Sequence, residues 1–150
     1  MRAVIQRVSE ASVAIDGAIH ASIGVGYLLL LGVSGDDGSD DVEWLAKKVA
    51  KLRVFGDERG VMNRSLGDVG GNVLVVSQFT LFASYRSNNR PSWCKAAPPA
   101  VAVPLYEAFC SRLSQEIGRP VGTGVFGADM QVSLVNDGPV TICIDTKRRE

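Results

Sequence analysis

Two short polar stretches interrupt apolar runs in this chain, and chemistry is most readily placed there. One is Ser77-Gln78 within VLVVSQFTLF (residues 73–82); the other is Asn136-Asp137-Gly138-Pro139 within LVNDGPVTIC (134–143). Neighbouring residues of a strand point to opposite faces, so Ser77 or Gln78 must look into the interior or a cleft. A buried polar side chain costs free energy unless it is hydrogen-bonded, which makes the pair a candidate lining of a site. The other reading is a bulge or strand end that leaves Gln78 in water. The second stretch has the composition of a turn. Its proline, directly after a glycine, adds a position without an N–H and a peptide bond for which the cis form is accessible. It is either an ordinary turn or a place where backbone groups are held out to something else.

Other chemistries are excluded by residue type. The one histidine, His20, falls on the return strand of a hairpin and reads as an exposed strand residue. A zinc centre built on several histidines is therefore impossible, and a Ser-His-Asp triad would have to use His20 without any G-x-S-x-G elbow. No GxGxxG between strand and helix and no GxxxxGK[ST] occurs; GTGVFG (122–127) reads as a bend between strands. The acids Asp36, Asp37, Asp40 and Asp41 lack an EF-hand pattern and read as helix capping. The three cysteines, Cys94, Cys110 and Cys143, share no metal-ligand spacing. They read as free thiols, the last two as small core residues.

Lys plus Arg equals Asp plus Glu at 16 each, so bulk charge points to no polyanionic partner. A nucleic acid would have to be met by a local patch: Lys47, Lys48, Lys51 and Arg53; Arg86, Arg90 and Lys95; or Lys147-Arg148-Arg149. Taken alone, each reads as a solvated face. The N-terminus has no apolar signal region, and VGYLLLLGV (25–33) is too short to cross a bilayer. A cytoplasmic protein without membrane contact is expected.

The elements that must position these stretches follow from periodicity. Residues 2–8, 12–15 and 18–23 read as strands, with Asp16-Gly17 as a two-residue hairpin turn. Residues 27–33, apolar on both faces, read as a central strand. Val42, Leu45, Ala46, Val49 and Leu52 recur at helical spacing, with acids in the first turn and lysines later, matching the helix dipole. A glycine-rich connection (56–71), a strand over 73–82 and a long irregular segment (83–99) follow; unstructured loops of that length are often functional. Leu105, Ala108, Phe109, Leu113 and Ile117 mark a second helix, with Pro104 in its first turn. Strands at 121–126, 130–135 and 140–145 and a frayed tail from about residue 146 complete one domain, 1–150. The class is α+β: layered, barrel-like β-sheets with two helices packed on one side.

Quoted in order, MRAVIQRVSEASVAIDG, MN-x-SL-x-DVGG (62–71), SQFTL (77–81), RPS (90–92), AAPP (96–99), LYEAF (105–109), FGADMQV (126–132) and NDGPVT (136–141) cover nearly the whole chain. Together they resemble the D-aminoacyl-tRNA deacylase family. The resemblance implies that family's fold and hydrolysis of the ester joining a D-amino acid to the 3′-terminal adenosine of tRNA, with glycyl-tRNA also accepted. It also implies a homodimer and no metal or other cofactor. In the family the pair matching Gly138-Pro139 is cis and enters the partner subunit's site, facing the α-carbon so that an L side chain is excluded. Arg7 would hold that loop. Ser77, Gln78, Phe79 and Thr80 would line the pocket, with backbone N–H groups near Phe79 and Thr80 as oxyanion donors. Ala96, Phe126 and Met130 would shape the adenine and amino-acid pocket. Thr80 as a nucleophile needs a base, and no histidine, lysine or amine is evident for it; assistance by the ribose 2′-OH is the favoured alternative. The segment 83–99 departs from the family pattern: SNNRPSW carries fewer cations than the basic run expected there, which bears on tRNA affinity.

Overall fold

β1 (Arg2–Ile15) is the spine of the molecule. The computed structural model describes residues 1–150, and the two halves of β1 pair with different strands of one sheet. Residues 2–8 pair antiparallel with β3 (Gly26–Gly32), and residues 11–15 pair antiparallel with β2 (Ala18–Ile23). Asp16 (φ 51°) and Gly17 (φ 78°) make the connecting turn, both left-handed as a two-residue hairpin demands. β3 pairs parallel with β6 (Asn72–Ser77), and β6 pairs with the short β7 (Gly122–Thr123). The order is β2-β1-β3-β6-β7, and β8 (Gln131–Asp145) adds to the barrel-like sheet by pairing antiparallel with β1 alone.

The apolar runs of β3 and β6 reflect burial on both faces. One face carries Leu29, Leu31, Val73 and Val75 against α1 (Ser39–Lys51) and α2 (Pro99–Ile117), which supply Leu45, Val49, Phe109 and Leu113. The other carries Leu28, Leu74 and Val76 against Val8, Ala11, Val13 and Ile23. Each such fully buried side chain contributes about 2 kcal/mol of transfer free energy. Both helices thus lie on one side of the sheet. Asp41 caps α1 by accepting the Gly38 N–H at 3.0 Å, as expected, whereas Asp36 and Asp37 of the same cluster serve Ser34 and the Met1 amine instead.

Several expectations are corrected. The strand over 73–82 ends at Ser77, and Phe79–Phe82 forms a 3-10 turn. The turn packs on Gly32, where an added Cβ would stand 3.1 Å from the Gln78 carbonyl and the Leu81 and Phe82 side chains. α2 starts at Pro99, so Pro104 lies inside it; it sits on the exposed face with Ala108, where water can serve the carbonyl that loses its partner. Cys110 is buried, but Cys143 is exposed, because β8 is an edge strand with one face in solvent. The connection 56–71 contains a small hairpin of β4 (Phe55–Gly56) and β5 (Met62–Arg64). Of 121–126 only two residues are strand.

The tail is held, not frayed. Thr146 is buried and accepts the Met1 amine at 2.7 Å, which also meets Asp37 at 2.5 Å. Lys147 pairs with Asp41 at 2.8 Å, and the Arg149 guanidinium lies 4.4 Å over the Trp44 ring. Burial alone would raise the Asp41 pKa; hydrogen bonds from Lys147, Thr146 and the Gly38 N–H outweigh it and bring the carboxyl down to about 2.

Candidate active site

The end of β3, the end of β6, the first turns of α2 and the 126–132 segment surround a mostly apolar cavity of about 540 Å³, a size usual for small-molecule sites. Leu31, Val33 and Val76 form its floor, Ala102 and Tyr106 one wall, and Phe126, Met130 and Val132 another. Tyr106 is fixed by donating its hydroxyl to the Val75 carbonyl at 2.8 Å, with its ring 6.4 Å from Phe126. Burial pushes the Tyr106 phenol above its ordinary pKa and the adjacent Cys110 thiol up to about 11. Neither is an acid or base near neutrality.

The polar rim comes from the first interruption. Ser77 pairs with Leu31 in the last rung of β3–β6, and the Gln78 N–H donates to the Leu31 carbonyl at 2.8 Å. The chain then leaves the sheet, so Gln78 and Phe79 stand at the cavity mouth. As the first residues of a 3-10 turn, Phe79 and Thr80 have backbone N–H groups with no acceptor in the chain. The Thr80 hydroxyl accepts a hydrogen bond from the Gln78 side-chain amide, a group that cannot remove its proton. Arg2 steadies the turn from behind: Nη1 donates to the Leu81 carbonyl at 3.0 Å, and the guanidinium lies 4.6 Å over Phe82.

The second interruption is not a hairpin turn. β8 runs through it continuously, and the register passes from Gln6↔Thr141 to Val8↔Asn136. Arg7 alone therefore faces the four residues 137–140, which bulge out. The Gly138–Pro139 peptide bond is cis, and Gly138 has φ 138°. Arg7, whose side chain is only 15% exposed, donates Nε to the Asp137 carbonyl at 2.9 Å and Nη1 to the Val54 carbonyl at 2.5 Å. Asn136 closes the base of the bulge by accepting the Val140 N–H at 3.1 Å. A Cβ on Gly138 would meet Arg7 Nη2 at 2.8 Å.

Of the residues singled out from sequence, Ser77, Gln78, Phe79, Ala96, Phe126 and Met130 line one cavity. Thr80 sits in the same turn without lining it. Arg7, Gly138 and Pro139 are gathered elsewhere, and none of them lines the cavity of its own chain. Tyr106 and Arg2 carry no site role in the sequence. A surface arginine of an alternating strand and a helix tyrosine carry no local mark of a site, whereas Trp93 stood out only as a departure in the loop.

A family model described as D-Tyr-tRNA(Tyr) deacylase matches residues 4–145. The chain belongs to this family. Curated relatives named D-aminoacyl-tRNA deacylase include one from Bacteroides thetaiotaomicron, 58% identical over 150 residues and covering all of both chains. Another, from Porphyromonas gingivalis, is 59% identical with the same coverage. Among solved structures, "c-Myc DNA Unwinding Element Binding Protein" superposes with a TM-score of 0.90 at 39% identity, covering 97% of this chain and 98% of that one. A probable eukaryotic D-amino acid tRNA deacylase, at a TM-score of 0.80 and 15% identity, covers 95% of this chain and 97% of that one and shares the fold. The deacylase family is one of hydrolases, so the cavity is to be read as that of an enzyme.

Proposed function

We propose that this protein hydrolyses the ester of D-aminoacyl-tRNA, releasing the free D-amino acid and the tRNA, and that it accepts glycyl-tRNA as well. The observation that carries the reading is the rim of the cavity. Two free N–H groups, of Phe79 and Thr80, stand beside an apolar hollow and can stabilise the oxyanion formed when the ester carbonyl is attacked. Loss of one such donor typically costs about 3 kcal/mol in the transition state. The hollow would take the terminal adenosine and the amino acid, with Ala96, Phe126 and Met130 shaping it. Thr80 has a Gln78 amide as its hydrogen-bond partner, so no side chain activates it as a nucleophile. The ribose 2′-OH of the substrate assists instead: water adds to the carbonyl, the C–O bond to the 3′-oxygen breaks, and the 3′-hydroxyl leaves protonated. The chain contributes position and charge stabilisation.

Chirality would be read in a homodimer. Gly138-Pro139 projects from β8 on a bulge held by Arg7, away from its own cavity. In the proposed arrangement this backbone enters the partner's cavity, faces the α-carbon and leaves room for hydrogen but not for an L side chain; glycine, with two α-hydrogens, passes.

Deacylation of D-Tyr-tRNA and L-Tyr-tRNA side by side, with EDTA throughout, tests the reading. Rapid loss of the D ester alone supports it. Cleavage of neither ester, with the tRNA bound intact, favours a non-catalytic RNA-binding module on the same fold; equal cleavage of both removes the chiral role of Gly138-Pro139.

A further inference from the structure

We propose that the 83–95 loop at the cavity mouth is the docking surface for the unpaired nucleotides preceding the terminal adenosine, with Trp93 stacking a base and Arg86 and Arg90 meeting phosphates. The inference rests on the tRNA-ester reading above and extends it beyond the terminal residue. The cavity has room for one aminoacyl-adenosine, so the preceding nucleotides must leave through its mouth. Phe79 and Trp93 are the large apolar side chains of its lining that remain exposed to solvent.

These two rings are 52% and 41% exposed, 5.3 Å apart and close to perpendicular at 79°. In an edge-on pair, whichever ring gives its edge keeps both faces clear of its partner, the geometry a planar base requires. Large aromatics left half in water at a cavity mouth forgo burial that the fold elsewhere achieves, and a stacked base would recover it. The loop is also built to hold its place. Ser84 and Ser92 exchange both backbone hydrogen bonds at 2.8 Å, closing its base beside Trp93, while residues 85–91 are exposed.

Charge points the same way. From Ala83 to Tyr106 the chain has no Asp or Glu, and neither Arg86 nor Arg90 makes an ion pair. By contrast, Arg2, Arg7, Arg64 and Arg112 face carboxylates and Arg53, Arg119 and Arg149 donate to backbone carbonyls, so that only Arg59 and Arg148, both outside this loop, share the unpaired state. In a chain of zero net charge, cations left without partners beside exposed aromatics are the pairing that single-stranded nucleic acid favours.

A Trp44→Phe background leaves Trp93 as the sole tryptophan. Titration with the trinucleotide CCA should quench its emission saturably, and Arg86→Ala with Arg90→Ala should weaken the titration and flatten its salt dependence. In kinetics, Trp93→Ala should reduce kcat/KM on D-Tyr-tRNA by on the order of tenfold more than on D-tyrosyl-adenosine, while Trp93→Phe restores most of the difference. Absence of quenching, or equal losses on the two esters, would overturn the proposal. So would a Trp93→Ala protein that changes oligomeric state in sedimentation, because the ring would then be covered by a second copy of the chain. Failure of the deacylase reading shows itself separately: wild-type protein would cleave neither ester, and the quench would still decide whether the loop stacks a base.

Discussion

Ser77-Gln78 and Asn136-Asp137-Gly138-Pro139 look alike as polar breaks in apolar strands, yet the fold uses them in opposite ways. At the first, the strand stops and a 3-10 turn carries Phe79 and Thr80 to the rim of a cavity in the same chain. At the second, the strand continues and four residues bulge out opposite Arg7, away from that cavity. The first break leaves N–H groups without acceptors; the second is tied down by side-chain donors and acceptors at Arg7 and Asn136. Open donors suit a transition state that brings its own acceptor. A braced bulge suits a part whose task is to hold a shape against something pressed on it. The difference fits the division proposed above, in which one break would do the chemistry, the other the selecting, and the two would meet between protomers.

The largest expected effect comes from disturbing the bulge. Gly138→Ala places a methyl 2.8 Å from Arg7 Nη2 at a φ of 138°, so the bulge must shift. A displacement of this kind should lower D-Tyr-tRNA deacylation about 100-fold, with far-UV circular dichroism unchanged. Mixing that variant with Ala96→Trp, which fills the cavity, sharpens the comparison. If the bulge serves the partner's site, refolding the two inactive proteins together should restore about a quarter of the sites, as heterodimers with one intact pairing. No recovery would place both functions in one chain.

Arg7→Met ranks next. It strips the Asp137 and Val54 carbonyls of their donor, and unpaired carbonyls of this kind cost about 1–3 kcal/mol. The variant should melt earlier and lose discrimination between D and L esters before it loses turnover. Unchanged discrimination would show that Asn136 alone braces the bulge.

These two variants also mark how far the sequence could be read. The hairpin at Asp16-Gly17, the central strand, both helices and their common side of the sheet follow from period and turn chemistry, because each depends on neighbours in sequence. The ending of β6 at Ser77 does not: its cause is Gly32, which leaves space for the turn from another strand. The helical stripe begins at Leu105 and so puts Pro104 in a first turn; residues 99–103 carry no stripe and are helical through Pro99 at the start and packing of Ala102 and Tyr106 on the cavity. The tail reads as loose because its partners, Asp37, Asp41 and Trp44, lie about a hundred positions away. The Arg7–Asp137 contact is of the same long-range kind and is legible only through family resemblance. Residue types were legible at both breaks; which cavity each one serves was not.

Thr80→Ala should have a small effect. Its hydroxyl is engaged by Gln78 and lies outside the cavity lining, while the Thr80 N–H survives the substitution. Turnover should stay within about tenfold of wild type, whereas removing a true nucleophile costs roughly 10⁴ or more. Collapse of activity with tRNA binding intact would return Thr80 to the centre of the mechanism.

The smallest expected effect is an absence of one. The only titratable side chain lining the cavity is Tyr106, and burial drives its phenol above the ordinary range. A rate that depends on positioned N–H groups and the substrate's own 2′-OH should therefore show no protein pKa between about pH 5 and 9. The ester's α-amino group does titrate there, so the control is uncatalysed hydrolysis of the same D-Tyr-tRNA across the same range. The ratio of enzymatic to uncatalysed rate should be flat. A bell in that ratio would mean that an acid and a base of the protein act in the step; the cavity's own lining offers neither, so in the proposed dimer they would have to arrive with the bulge at 137–140. In that event the division between the two breaks would fall, because the selecting segment would also be doing chemistry.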